Sequence, residues 1–304
     1  MSPWLPPAPC TPPACVLPPV TTAVRPLRVL RLLAAAVLIL VGPVLALVAL
    51  GSGTARRTAL TGAWSRLMLW ALGVRIEVRR GFTFLAGSSP EARVPARTPA
   101  AGAPITTAQA GTTSGAAALF VANHVSWLDP LVMAAALPCR LLAKREVLGW
   151  PLVGGLAAAS GALFIDRERL SALPRAVADV AGALAAGEPV AAFPEGTTRC
   201  GREMGAFRPA VFQAALDAGA PVRPVAIRYL DASGAPATGP AFIGDDTLMA
   251  SLLRVVAFRR LTVEVTLLPP VTAHDRRTLA WAAESSVASV VVAVPVEHGV
   301  PVAA

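Results

Sequence analysis

Hydrophobic and polar positions change their period several times along this chain, and each change predicts an element. Residues 1–24 carry proline every few positions (PPAPCTPPAC, LPPV), which supports neither helix nor sheet and predicts a disordered tail. Residues 32–53 are apolar and uncharged, a length close to the ~20 residues that span a bilayer, and Arg25, Arg28 and Arg31 precede them. Pro43 in the middle leaves a kinked or re-entrant helix as open as a straight span. A secretory signal peptide competes, but the preceding tail is long and the cleavage pattern poor. Arginines at both ends leave the topology open. Over residues 55–72, Leu60, Trp64, Leu67 and Ala71 recur on one helical stripe, while Arg56, Arg57, Thr61, Ser65 and Arg66 gather elsewhere. That predicts a helix at the membrane interface, stopped at Gly73, with a core-packing helix as the alternative.

The period then drops to two. VRIEVR from Val74 alternates as a strand does, and residues 86–115 follow as an aperiodic Ala/Pro/Thr/Gly/Ser-rich stretch. This predicts a disordered insertion within one fold, not a boundary between two cores. Beyond it, short apolar runs at 117–122, 140–143, 163–166, 189–193, 222–227 and 262–267 predict strands. Between them Leu173, Val177, Val180 and Leu184 repeat at helical spacing and end at Gly187. Such alternation predicts an α/β fold: a layered, mostly parallel sheet flanked by helices, behind an N-terminal membrane-associated helical segment. The chain divides accordingly into a tail (1–24), a membrane-associated segment (25–73) and one globular domain (74–304) carrying the insertion at 86–115.

Composition adds a lipid-facing part and removes some partners. A chain of 304 residues can bury a large core, and 55% hydrophobic residues is high for a soluble protein. Lys144 is the sole lysine, which reads as the coding bias of a GC-rich genome. The net charge of +9 favours anionic lipid headgroups or nucleic acid. A single tyrosine, Tyr229, and no basic run with interleaved aromatics argue against nucleic acid. Cys10, Cys15, Cys139 and Cys200 lack paired metal-ligand spacing and read as reduced thiols of a cytoplasmic domain, so no metal is expected.

Four segments concentrate polar groups at predicted strand ends, where ligands bind α/β sheets. The first is Asn123-His124-Val125-Ser126-Trp127-Leu128-Asp129. His124 is one of three histidines, and the others, His274 and His298, lie in no motif. A histidine can take a hydroxyl proton near neutral pH while a carboxylate on its other nitrogen orients it. Five helical positions rotate by about 140°, so His124 and Asp129 can meet only if His124 lies in the turn before the helix. The second segment ends a strand in Asp166-Arg167, whose guanidinium fork matches phosphate oxygens. The third, Phe193-Pro194-Glu195-Gly196-Thr197-Thr198-Arg199, sets a carboxylate, a glycine, two hydroxyls and a guanidinium in one loop. The fourth is Val222-Arg223-Pro224-Val225. Each has a bland reading too: a capped helix start before Pro130, an ion pair at the sheet edge, an ordinary turn, a shaped strand entrance.

In order and spacing, NHVSWLD, GALFIDR, FPEGTTR and VRPV resemble the four blocks of the glycerolipid acyltransferases of the 1-acylglycerol-3-phosphate acyltransferase type. The resemblance covers roughly residues 115–230. It implies transfer of a fatty acyl group from acyl-ACP or acyl-CoA, as co-substrate, to the free hydroxyl of a lysophospholipid-type acceptor, with no cofactor. By it, His124 is the general base and Asp129 its orienting carboxylate. Arg167, Glu195 and Gly196 match acceptor-binding positions, Lys144 and Arg199 are cations for the headgroup, and Thr197 lies in the same loop. The implied partners are the lysolipid, an acyl carrier protein or CoA thioester, and the membrane. The implied location is a bacterial cell membrane, with the catalytic domain on the cytoplasmic side. Glu195-Gly196-Thr197-Thr198-Arg199 departs from the EGTRS common among users of 1-acyl-sn-glycerol-3-phosphate by moving the basic residue one place. Relatives that acylate lyso-ornithine lipid carry similar loops, so both acceptors stay open. A metal-dependent hydrolase using His124, Asp129, Asp166 and Glu195, or a non-catalytic membrane scaffold, are the readings from other classes.

Overall fold

The computed structural model describes residues 10–80, 117–166 and 169–292. The expected insertion at 86–115, residues 1–9 of the tail, and Arg167 lie outside the described residues. The chain opens with a short helix α1 (Pro12–Cys15), the long helix α2 (Arg25–Leu50) and α3 (Thr54–Ala71), followed by strand β1 (Val74–Arg80). Then come β2 (Leu119–Ala122), α4 (Asp129–Ala136), β3 (Arg140–Lys144), α5 (Val153–Ala159), β4 (Leu163–Ile165), α6 (Leu173–Ala185) and β5 (Val190–Ala192). The last part holds α7 (Ala210–Asp217), β6 (Val222–Leu230), α8 (Leu248–Ala257), β7 (Leu261–Leu267) and α9 (Arg276–Val291).

The strands form one seven-stranded sheet in the order β1-β7-β6-β2-β5-β3-β4. β6, β2, β5, β3 and β4 run parallel, whereas β7 is antiparallel to β6 and carries β1 parallel to itself. Inner strands alternate between two cores. Leu119, Val121, Val190, Ala192, Val222 and Ala226 face α6, α7 and α9, while Ala122, Ala191, Val225 and Ile227 face the side of α3, α4 and α8. Burial on both faces explains why β2 and β5 read as unbroken apolar runs. Because five strands share a direction, the loops after β2, β5, β3 and β4 leave the sheet at one edge.

One expectation needs correction at the N-terminus. Residues 10–24 are not a free tail. Leu17 N–H donates to Thr238 Oγ1 at 3.1 Å, Ala23 N–H to Ala257 O at 2.8 Å, and Arg259 N–H to Thr21 O at 3.1 Å. Prolines at the start of α1 fit the first turn, where the missing N–H is not needed, and the remaining polar groups find partners on residues 238–259. The stripe expected at the membrane interface stays largely outside the core of α3: Leu67 is exposed, Leu60 and Trp64 are half-buried and only Ala71 is buried, while Thr58, Gly62, Ser65, Met68 and Leu69 face inward. Small residues win there because α3 crosses α4 closely: a Cβ on Gly62 would lie 2.8 Å from Ala134 O, and Arg66 Nε donates to Ala135 O at 3.0 Å.

Helices α2 and α3 form a hairpin whose ends both return to the domain. At one end Arg31 is buried, its guanidinium donating to Val256 O at 2.9 Å and Phe258 O at 2.6 Å. At the other, Gly73 adopts φ +79°, and a Cβ there would meet Arg31 Cζ at 2.2 Å. Within the hairpin, Trp64 Nε1 donates to Leu38 O at 3.1 Å. Among the described residues, Arg25–Ala49 is the one helix long and apolar enough to cross a membrane, with mean hydropathy 2.8 and only 17% of its most apolar window buried.

Candidate active site

The loop leaving β2 carries His124, and Asp129 opens α4 five residues later. β2 ends at Ala122, and the side chain of Asn123 then continues its ladder to β6. Asn123 Nδ2 donates to Ile227 O at 2.9 Å, and Ile227 N–H donates to Asn123 Oδ1 at 2.8 Å. This clamp releases the chain into a turn, so His124 lies ahead of the helix and its ring folds back over the first residue of α4. The Nδ1···Asp129 Oδ2 distance is 2.8 Å. Asp129 is fully buried, and the N–H groups of Val125 and Ser126 also donate to its Oδ2, at 2.6 and 2.8 Å. Tyr229 Oη donates to Oδ1 at 2.5 Å. The carboxylate is thus held by two amides and a phenol while it orients the imidazole. On the other side, the His124 ring stacks on Phe193 with centroids 4.3 Å apart. The side chain is 18% exposed, and Nε2 is the ring edge opposite the Asp129 bond.

Glu195 supports the same residue from behind. Its Oε1 accepts the His124 backbone N–H at 2.7 Å, its Oε2 accepts Gly205 N–H at 2.6 Å, and Arg199 Nε lies 3.4 Å from Oε2. Burial pushes its carboxyl up to about 7, against the pull of the two amides and Arg199. The two oxygens thus accept backbone amides of two loops, the one after β2 and the one that carries Glu195. Gly196 adopts φ +75°, the left-handed region that glycine enters freely, and its N–H closes the turn onto Phe193 O at 3.2 Å. Thr197 is half-buried, and Thr198 Oγ1 donates to Phe242 O. Arg199 N–H donates to His124 O at 2.8 Å, so two residues of this loop hold the His124 backbone. The Arg199 side chain is 15% exposed and turned toward Glu195.

The remaining expected residues line the same sheet edge at increasing distance. Lys144 ends β3, two strands from β2 and so about 10 Å across the sheet. Its Nζ is 3.1 Å from Glu146 Oε1 and is 40% exposed. Asp166 follows β4, a strand further out, and accepts Arg169 N–H at 3.2 Å. Pro224 is buried in β6 beside Val121, where it shapes the sheet. His274 lies in the loop before α9 on another part of the surface. His124, Asp129, Asp166 and Glu195 do not converge into a ligand set among the described residues, which removes the geometry of a metal hydrolase. Ser126, buried and accepting Leu128 N–H at 3.3 Å, is not presented as a nucleophile.

Two contributors had escaped the sequence reading. Tyr229 and Asn123 act through β6, and the available signal is Tyr229 as the lone tyrosine of the chain, buried on a strand.

A family model described as Acyltransferase matches residues 105–228. The chain is 37% identical over 179 residues to a 1-acyl-sn-glycerol-3-phosphate acyltransferase of Neisseria gonorrhoeae, covering 57% of this chain and 69% of that protein. It is 41% identical over 172 residues to a lyso-ornithine lipid O-acyltransferase of Pseudomonas aeruginosa, covering 56% and 66%. The crystal structure of the 1-acyl-sn-glycerophosphate acyltransferase of Thermotoga maritima shares the fold, with TM-score 0.58 over 87% of this chain and 93% of that one, at 17% identity.

Proposed function

This chain belongs to the glycerolipid acyltransferases of the 1-acylglycerol-3-phosphate acyltransferase type, and from that membership we propose that it acylates the free hydroxyl of a membrane lysolipid. The observation that carries the reading is the His124 Nδ1···Asp129 Oδ2 contact of 2.8 Å at the carboxyl edge of the sheet. With Nδ1–H given to Asp129, Nε2 is the proton acceptor. The acceptor hydroxyl loses its proton to Nε2 as its oxygen attacks the thioester carbonyl of acyl-ACP or acyl-CoA. Asp129 stabilises the imidazolium, the C–S bond breaks, and the imidazolium returns the proton to the departing thiolate. No acyl-enzyme is required. Glu195 and Arg199 are positioning residues in this scheme, since both act on the His124 backbone.

The acceptor we name is 1-acyl-sn-glycerol-3-phosphate, giving phosphatidic acid, with Arg167 and Lys144 as headgroup cations. Lyso-ornithine lipid is the second reading, favoured by the pairing of Arg199 with Glu195, which draws that guanidinium away from a phosphate. The α2–α3 hairpin supports attachment to one membrane face: α3 carries Arg56, Arg57 and Arg66 and is too polar to recross a bilayer after α2. The site would then lie on the cytoplasmic side, where both acyl carriers are made.

The test incubates membranes containing the protein with labelled acyl-ACP or acyl-CoA and both lysolipids at equal concentration. Labelled diacyl product should form, His124→Ala should lower turnover by about 10²–10⁴-fold, and His274→Ala should leave it nearly unchanged. Equal losses from the two variants, or no transfer to any lysolipid, would overturn the reading.

A further inference from the structure

The fold brings together three of the four cysteines, which the sequence reading had kept apart. Cys10, Cys15 and Cys200 place their sulfurs within 4.8 Å of one another. Cys10 and Cys200 are buried and Cys15 is half-buried. Cys10 lies just before the single turn of α1 and Cys15 ends it, and Cys200 follows Arg199 in the loop that holds His124. We propose that these three thiols form a structural zinc site that clasps the N-terminal segment to the active-site loop.

The chemistry of the donor set selects the ion. Three sulfur ligands with no carboxylate or imidazole suit a soft or borderline cation, and zinc is bound by such sets at about 2.3 Å per thiolate. Tetrahedral geometry then requires sulfur separations of about 3.8 Å, which modest side-chain rotations reach from the present spacing. Binding would release three thiol protons and leave the fourth position to a water, giving a site of net charge −1. A cavity lined by Val125, Tyr229 and Thr238 borders Cys200, one of the three cysteines.

The surroundings are built for close contact. A Cβ on Gly244 would meet Pro12 Cδ at 3.2 Å, and Gly201 takes φ +84° directly after Cys200. Two prolines in α1 restrict the loop between Cys10 and Cys15 before any metal arrives, lowering the ordering cost of the site. Cys139, the remaining cysteine, is buried at the entrance to β3 and serves as an internal control.

The experiment uses the full-length chain, purified under reducing conditions, stripped with a chelator and titrated with Co²⁺ and then Zn²⁺. Thiolate-to-cobalt charge-transfer absorption should rise to one equivalent and be displaced stoichiometrically by Zn²⁺. Cys15→Ala, chosen because Cys15 is only half-buried, should weaken metal binding by at least on the order of 100-fold, the upper end for loss of an outer-shell partner alone. Cys139→Ala should retain the full signal. Zinc should also slow amide hydrogen exchange at residues 10–23 and 198–201 together. Absence of the charge-transfer band in the full-length chain would overturn the proposal. So would a band that survives Cys15→Ala, or a disulfide among these three residues in protein kept free of oxidant.

Discussion

Tyr229 donates a 2.5 Å hydrogen bond to a buried carboxylate whose other oxygen orients His124. Burial, then the charge of Asp129, raises the phenol well above its ordinary range, so it remains a donor at any working pH. Tyr229→Phe should therefore cost about 1.5–3 kcal/mol in urea unfolding, the range for a bond to a charged group. It should also lower kcat by less than His124→Ala does, with KM for the acceptor nearly unchanged. Glu195 makes a different prediction. Its folded-state value of about 7 lies above the ordinary 4.5, so between these the folded chain holds a proton that the unfolded chain has lost. Stability contributed at this site falls as pH rises through that window. Unfolding curves at pH 5 and pH 8 should show the wild type losing ground relative to Glu195→Gln, and a gap moving the other way would assign an ionised carboxylate throughout. The short-range part of this site was readable because His124 and Asp129 are five residues apart and Pro130 marks the helix start. Tyr229 and Asn123 were not, since their partners lie 100 and 104 residues away and depend on the register of β2 against β6. Glu195 was recognised as a site residue, but nothing local reveals that its oxygens face backbone amides.

Helix α3 shows what an apolar stripe leaves open. Leu60, Trp64, Leu67 and Ala71 form one, yet lipid and protein core both favour apolar groups, so the stripe alone does not identify the packed face. The packed face is instead marked by small residues that permit approach to α4. Gly62→Ala should destabilise the chain by about 1–3 kcal/mol, because the new methyl meets a backbone carbonyl that cannot rotate away. Gly182→Ala in α6, where a Cβ would meet nothing within 4 Å, should raise stability by about 0.4–1 kcal/mol. Chemical denaturation of both variants checks the pair, and equal effects would mean that the α3–α4 contact is not as tight as drawn. The strands are easier to read: β1 alternates at the sheet edge, burial makes most of the inner strands short and largely apolar, and all seven lie where the pattern puts them. The Pro-rich segment misled because its order comes from the distant residues 238–259, not from any propensity of its own.

For the whole molecule, the decisive shape is the hairpin of α2 and α3, closed at both ends on Arg31. Leu33, Leu40 and Leu47 project from α2 and are exposed, so they contribute little to the fold itself. Replacing all three with glutamine should leave thermal stability nearly unchanged and release the protein from floated vesicles. About 1 M salt, which shortens screening to roughly 3 Å, should not release the wild type. Loss of the wild type in salt would make its attachment electrostatic. On the membrane attachment proposed above, a hairpin that starts and finishes at the catalytic domain also sets the height of His124 above the lipid surface. An enzyme held at one height meets its acceptor by lateral diffusion in two dimensions, without drawing it into water. Its rate should then follow the mole fraction of lysolipid in the surface: inert phospholipid added at constant total acceptor slows the reaction, and more vesicles of the same composition do not.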